Sequence, residues 1–172
     1  MHSIKNHIAL HSTDYLTPYL SLLARVEGIE PQQLYDDLNI KRKVLRMRMF
    51  RGTLFIINKE DPTPLIGALK MFSEHWLHSC EKYFIKNNVG VEQLLTRVHE
   101  LFAKKNFLTT RELKSRIPVA GSEDFMVFMR YLEFKGVLIR GSQQHLNDRV
   151  IKYGMLEEWM PQLREREDGS DI

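Results

Sequence analysis

Two sets of helix-start signals, each running into a pair of β-prone segments, flank one long stretch of helical periodicity. Together they predict a mainly α chain with small β-hairpins (α+β), arranged as two tandem winged helix-turn-helix units joined by a long helix. The first unit is expected over residues 1–60. It opens on an apolar segment, Ile4 to Leu10, read as a first helix. Thr17-Pro18 then sets a capping hydroxyl and a first-turn proline before Tyr19 to Val26, and Gly28 ends that helix. Glu30-Pro31 starts another, with Leu34, Tyr35 and Leu38 on one face, so that three helices precede two strands. In the first strand Leu45, Met47 and Met49 alternate with Val44, Arg46 and Arg48, a period of two that gives one packed face and one charged face placed in water.

The linking helix is expected over 61–90, capped by Asp61 with Pro62 in its first turn. Leu65, Leu69, Phe72, Trp76 and Cys80 recur along it at helical spacing. The second unit, 91–160, repeats the plan of the first. Val91 to Lys104 carries an apolar stripe of Leu94, Leu95, Val98, Leu101 and Phe102. Thr109 and Glu112 form a capping box for a short helix that stops before Pro118. Ser122 is read as the cap of the next helix, which buries Phe125, Phe128, Met129 and Leu132 and ends at Gly136. Val137 to Arg140 and Val150 to Tyr153 are the closing strands, with Gly141 to Asp148 as a polar wing. Residues 161–172, rich in Arg, Glu and Asp, read as a flexible, solvated tail.

Charge placement says more than total charge. The 172 residues carry a formal net charge of only +3, yet Lys41 to Arg51 holds six Lys or Arg side chains and no acid. Such a strip suits a polyanion. Lys41, Lys43, Arg46, Arg48, Arg51 and Gly52 of this hairpin are therefore candidate DNA-binding residues, with Arg51 at the tip able to enter a minor groove and Gly52 supplying the turn. Arg111, Lys114, Arg140 and Arg149 of the second unit form a secondary set for the phosphate backbone. The competing reading of the hairpin is that cations on an edge strand block aggregation and bind nothing. In the second unit Glu123, Asp124 and Glu133 stand against Arg130 and Lys135 on the expected recognition helix, which suits a protein-facing or structural role equally well.

Other chemistries find little support. One cysteine, Cys80, excludes an intramolecular disulfide framework and fits a reducing, cytoplasmic compartment. No apolar run approaches the roughly 20 residues needed to span a bilayer, so no membrane partner is expected. His75 and His78 lie one turn apart but have no paired-cysteine motif to complete a zinc site. No phosphate-cradling glycine loop is present either, so neither metal nor cofactor is predicted.

Pro18-Tyr19-Leu20-Ser21-Leu22-Leu23-Ala24-Arg25-Val26, then Arg46, then Phe50-Arg51-Gly52-Thr53-Leu54, resembles the winged-helix DNA glycosylases of the AlkZ and YcaQ type. Leu108 to Leu113 and Gly136-Val137-Leu138 resemble that family's second winged helix. The resemblance implies double-stranded DNA as partner and excision of alkylated or crosslinked bases as activity. Members of the family are usually about twice this length, which implies a short or split member with a possible C-terminal partner fragment.

The family's Gln-x-Gln or Gln-x-Asp motif falls here on His11-Ser12-Thr13, followed by Asp14. Carried over position by position, His11 and Thr13 would hold the attacking water and Asp14 would supply negative charge to the oxocarbenium-like sugar. The alternative is that Thr13 or Asp14 caps a helix beside a solvated His11. The altered motif, with Phe55 where the family places histidine, counts against catalysis. Three functions stay open: a DNA-binding protein, an active DNA glycosylase, and a protein-interaction fragment of a split enzyme.

Overall fold

The computed structural model describes residues 10–14, 16–49, 52–59, 63–141 and 150–161, with 63–70 and 72 described by backbone only. Expectations for residues 4–9, Phe50, Arg51, the Asp61-Pro62 helix start, the side chains of Leu65, Leu69 and Phe72, the wing residues 142–148, Arg149 and the tail from 162 lie outside the described residues.

The chain is α+β. Described in order are β1 (Leu10–His11), α1 (Thr17–Leu23), α2 (Pro31–Asn39), β2 (Val44–Arg48), β3 (Leu54–Asn58), α3 (Thr63–Asn87), α4 (Val91–Phe102), β4 (Leu108–Thr109), α5 (Thr110–Arg116), α6 (Ser122–Phe134), β5 (Leu138–Arg140), β6 (Lys152–Met155) and α7 (Leu156–Trp159). All described strands belong to one antiparallel sheet in the order β1-β3-β2-β5-β6-β4. The two hairpins are thus not separate wings. They join edge to edge, with Arg46 opposite Arg140. At the end of the expected first helix, Leu10 and His11 form a strand instead, paired with Ile56 and Phe55.

Local signals explain most of the elements. Asp14 Oδ1 accepts from the backbone N–H of Leu16 at 2.8 Å and of Thr17 at 3.3 Å, so it satisfies donors at the start of α1 that lack helical partners. The long helix α3 stops at Asn87, and Asn88 after it has a φ of 53°, in the left-handed region that Asn tolerates. Thr109 and Glu112 make the capping box of α5, with Thr109 N donating to Glu112 Oε2 at 2.8 Å and Glu112 N donating to Thr109 Oγ1 at 3.2 Å. Ser122 is the first helical residue of α6 and not its cap. Gly121 takes that position, and its N–H donates to Asp124 Oδ2 at 3.1 Å.

Alternation along the strands sorts side chains onto two sheet faces. On one face, Leu45, Met47, Met49, Ile57 and Ile139 pack under Leu156, Trp159 and Met160 of the C-terminal segment. The opposite face carries two separate cores. A small one joins Leu10, Val44 and Ile56 to Tyr19 and Leu22 of α1 and to Leu34 and Leu38 of α2. A larger one joins Leu108, Leu138, Tyr153 and Met155 to helices α3 to α6, with Leu113, Phe128 and Leu132 fully buried. Each such side chain contributes about 1.5–3 kcal/mol relative to leaving it exposed. Between these two cores, on the same face, lie Arg46, Arg48 and Arg140.

Candidate nucleic-acid interface

The strand alternation of Arg46 and Arg48 is present, but its consequence is the reverse of the one expected: these arginines do not stand in water. Strand β2 is interior to the sheet and its second face is covered by helices. Arg48 and Arg140, with side chains 21% and 18% exposed, converge on Glu133, which is 3% exposed. Arg140 Nε donates to Glu133 Oε1 at 2.8 Å, and Arg48 Nε donates to Oε2. Burial alone would pull the Arg140 guanidinium down, but Glu133 and Tyr153 outweigh it and leave its pKa raised. Glu133 is therefore a buried counter-ion linking the two hairpins and not an exposed acid of α6. Asp124 is likewise engaged, accepting from Tyr83 Oη at 2.9 Å.

Gly52 has φ +71°, as a tight turn requires, and a Cβ at that position would meet Trp76 and Phe134 at 3.5 Å. Those two rings stack with centroids 5.6 Å apart. Gly52, the described part of the hairpin turn, thus leans on α3 and α6.

The remaining candidate cations collect at the other end of the strands. Because β2 runs antiparallel to β5 and β5 to β6, the approach Lys41 to Lys43 lies beside the end of β5 and the start of β6. Lys59 N donates to the Lys43 carbonyl at 3.0 Å, and Gly141 N donates to the Lys152 carbonyl at 2.7 Å. Thr110 N donates to the Ile151 carbonyl at 3.2 Å, which starts α5, with Arg111 and Lys114, from this same edge. Lys41, Lys43, Arg111 and Lys114 are exposed, and Lys114 Nζ donates to Ser122 Oγ at 2.9 Å.

Arg42 fastens this edge to the second half. It adopts φ 50°, with its guanidinium 4.7 Å from the Trp159 ring centroid and 5.3 Å from that of Phe107. Sequence reasoning passed over Lys59 and left Arg42 and Lys152 in separate hairpins, not in one group. The signal that finds them is strand pairing, which no linear spacing encodes. Burial and then the neighbouring Arg42 charge lower the Lys59 pKa, as expected where cations crowd. The one buried acid nearby, Asp37, pairs loosely with Lys41 at 3.9 Å, and burial pushes its own pKa up against the pull of Lys41 and Lys43.

The candidate catalytic residues lie at the outer strand. His11 and Thr13 are exposed and hydrogen-bonded, Nε2 to Oγ1 at 3.0 Å, with the His11 ring edge-on to Phe55. Asp14 is committed to the α1 start and does not join them in a shared hydrogen bond. Among the described residues no group of three His, Cys, Asp or Glu side chains forms a metal-binding cluster, and no helix is long and apolar enough to cross a membrane.

The family model for DNA glycosylase AlkZ-like proteins matches residues 4–171. The solved structure of the DNA glycosylase AlkZ from Streptomyces sahachiroi is similar at a TM-score of 0.60 and 15% sequence identity, over 87% of this chain and 41% of that one. At that identity the likeness concerns the fold, and this chain spans about two fifths of the length of that relative. No curated protein matches. A match running over almost every residue, on a chain whose fold follows the same course, shows that it belongs to the AlkZ-like DNA glycosylase family.

Proposed function

We propose that this chain binds double-stranded DNA, as a pair of winged-helix units whose shared sheet edge meets the phosphate backbone. The observation that carries the reading is the gathering of Lys41, Arg42, Lys43, Lys59 and Lys152 at one end of the sheet, beside the start of the helix bearing Arg111 and Lys114. Membership in a glycosylase family supports DNA as the polyanion. Arg48 and Arg140, paired with Glu133, hold the units together, and the edge supplies the exposed cations. Affinity for a duplex, followed by fluorescence anisotropy across a salt series, falls with a slope of about −0.9 for each phosphate neutralised. Affinity that ignores salt rejects the proposal.

A second reading, base excision, is favoured by one observation: His11 and Thr13 share a hydrogen bond on an exposed rim, and the pair can orient a water beside it. In that reaction water adds to the sugar C1′ and gives up a proton to solvent, the glycosidic bond breaks, and the cationic alkylated base departs neutral with the bonding electrons. Release of base from alkylated duplex, lost in His11→Ala and Thr13→Ala, supports it. No release from the native protein rejects it, leaving binding alone. Leu16, Leu20 and Leu23 form an exposed apolar stripe beside this rim, which supports a further protein segment as neighbour. Titration with the remaining portion of an AlkZ-type protein tests that neighbour, and the absence of a complex would remove it.

A further inference from the structure

The seam between the two cores holds three guanidinium groups, Arg46, Arg48 and Arg140, against one buried carboxylate, Glu133. Glu133 is fully used, with one oxygen on Arg48 and the other on Arg140. Arg46 is left over. It stands directly across the β2–β5 pairing from Arg140, a like-charge placement that costs stability unless something negative lies between or beside the two. Its Nε and Nη2 are buried and have no hydrogen-bond partner. The Tyr19 hydroxyl, which acts electrostatically on Arg46, is also buried and without a partner, as is Ser12 Oγ on the same sheet face. Asp14 attracts Arg46 at longer range, but its Oδ1 serves the start of α1.

Unpartnered buried donors are rare because each forfeits its hydration without recompense. Here a cation and a hydroxyl are orphaned in the same neighbourhood, where positive charge exceeds negative. A neutral filler such as water would meet the hydrogen bonds and leave the charge. We propose that the seam is an oxyanion seat, in which a phosphate group is held by the Arg46 guanidinium and the Tyr19 hydroxyl at the junction of the two halves. The seat stands on this geometry alone. Its occupation by a phosphodiester of a nucleic acid strand, as opposed to free phosphate, rests on the DNA-binding reading above.

The test uses the full chain and inorganic phosphate, compared with chloride at equal ionic strength. A phosphate-specific rise in the unfolding midpoint that saturates is expected for the native protein. Tyr19→Phe keeps the ring and deletes the hydroxyl, and should weaken phosphate binding about tenfold. Arg46→Met should abolish the response, and Lys86→Gln, remote on α3, should leave it intact. Equal responses to phosphate and chloride, or native-like phosphate binding in Tyr19→Phe, overturn the seat whether or not Arg46→Met folds.

The second arm reads the source. If duplex affinity drops in Tyr19→Phe and free phosphate competes with duplex, the seat takes strand phosphate. Phosphate binding with duplex affinity untouched overturns the strand assignment and retains the seat for free phosphate. Duplex binding without any phosphate response rejects the seat and leaves the sheet-edge reading standing.

Discussion

Arg48 and Lys43 lie on the same strand and its approach, yet one is an interior ion and the other an exposed surface charge. Arg48 reaches Glu133 across the seam, while Lys43 borders an edge where β2, β3, β5 and β6 bring basic residues together. The difference shows that local cation density does not by itself mark a binding surface. What covers each side chain decides whether its charge serves folding or faces a partner. The Arg48–Glu133–Arg140 group should therefore answer to measurements of stability and the edge lysines to the salt dependence of DNA binding.

The hardest blow to that division is Glu133→Ala. It leaves Arg48 and Arg140 facing each other without a counter-ion, and breaking a buried ion pair in this way typically costs 3–5 kcal/mol. Since both arginines retain some solvent exposure, about 3 kcal/mol is expected in urea unfolding. A loss below about 1 kcal/mol would mean that the seam is open to water and that Arg48 and Arg140 are available to DNA after all.

Helix starts come next in size. Thr109→Ala removes one partner of the capping box and should cost about 1 kcal/mol. Asp14→Ala should cost a similar amount, because its carboxylate serves Leu16 and Thr17. The pair of variants sharpens the contrast between halves, since Asp14 alone has a rival role. Unchanged stability combined with lost base release in Asp14→Ala would transfer it from structure to chemistry.

Acid titration probes the same box. Hydrogen bonds from Lys105 and then from Thr109 hold the Glu112 carboxyl well down, at about 2. A carboxyl depressed by folding stabilises fully above its ordinary value near 4.5, and that contribution fades as pH falls toward 2. Native protein and Glu112→Gln should therefore differ in stability above about pH 4.5 and converge on acidification. A constant difference down to pH 2 would show that the substitution acts through packing.

These outcomes also separate what the linear sequence reveals from what it hides. The Thr109–Glu112 box, the turn at Gly52, the Gly136 helix end and the two-residue period of β2 are local, and each was legible because its cause lies within four residues. The burial of Arg46 and Arg48 was not. Periodicity tells which side chains share a face, but not that β5 would pair with β2 or that α6 would place Glu133 over the junction. The same limit hid the sheet edge, where strand pairing makes Lys43 and Lys59 neighbours and brings Lys152 to the same end of the sheet. Leu10 was misread as helical for a related reason: it finds its strand partner in β3, outside its own segment.

The smallest expected effect on stability should carry the largest effect on DNA binding. Lys43→Gln with Lys152→Gln removes two positive charges from the edge without touching either core on the inner face of the sheet. Such surface substitutions stay within about 0.5 kcal/mol of native stability. If each lysine neutralises one phosphate, the slope of log affinity against log salt becomes shallower by about 1.8, and the loss is the same for any duplex sequence, because phosphate contacts position a protein without reading bases. Glu133→Gln, which disturbs the seam and leaves the edge lysines in place, should leave that slope unchanged in whatever fraction remains folded. A reversed result, with the slope set by the seam and indifferent to the edge, would exchange the roles of the two cation groups.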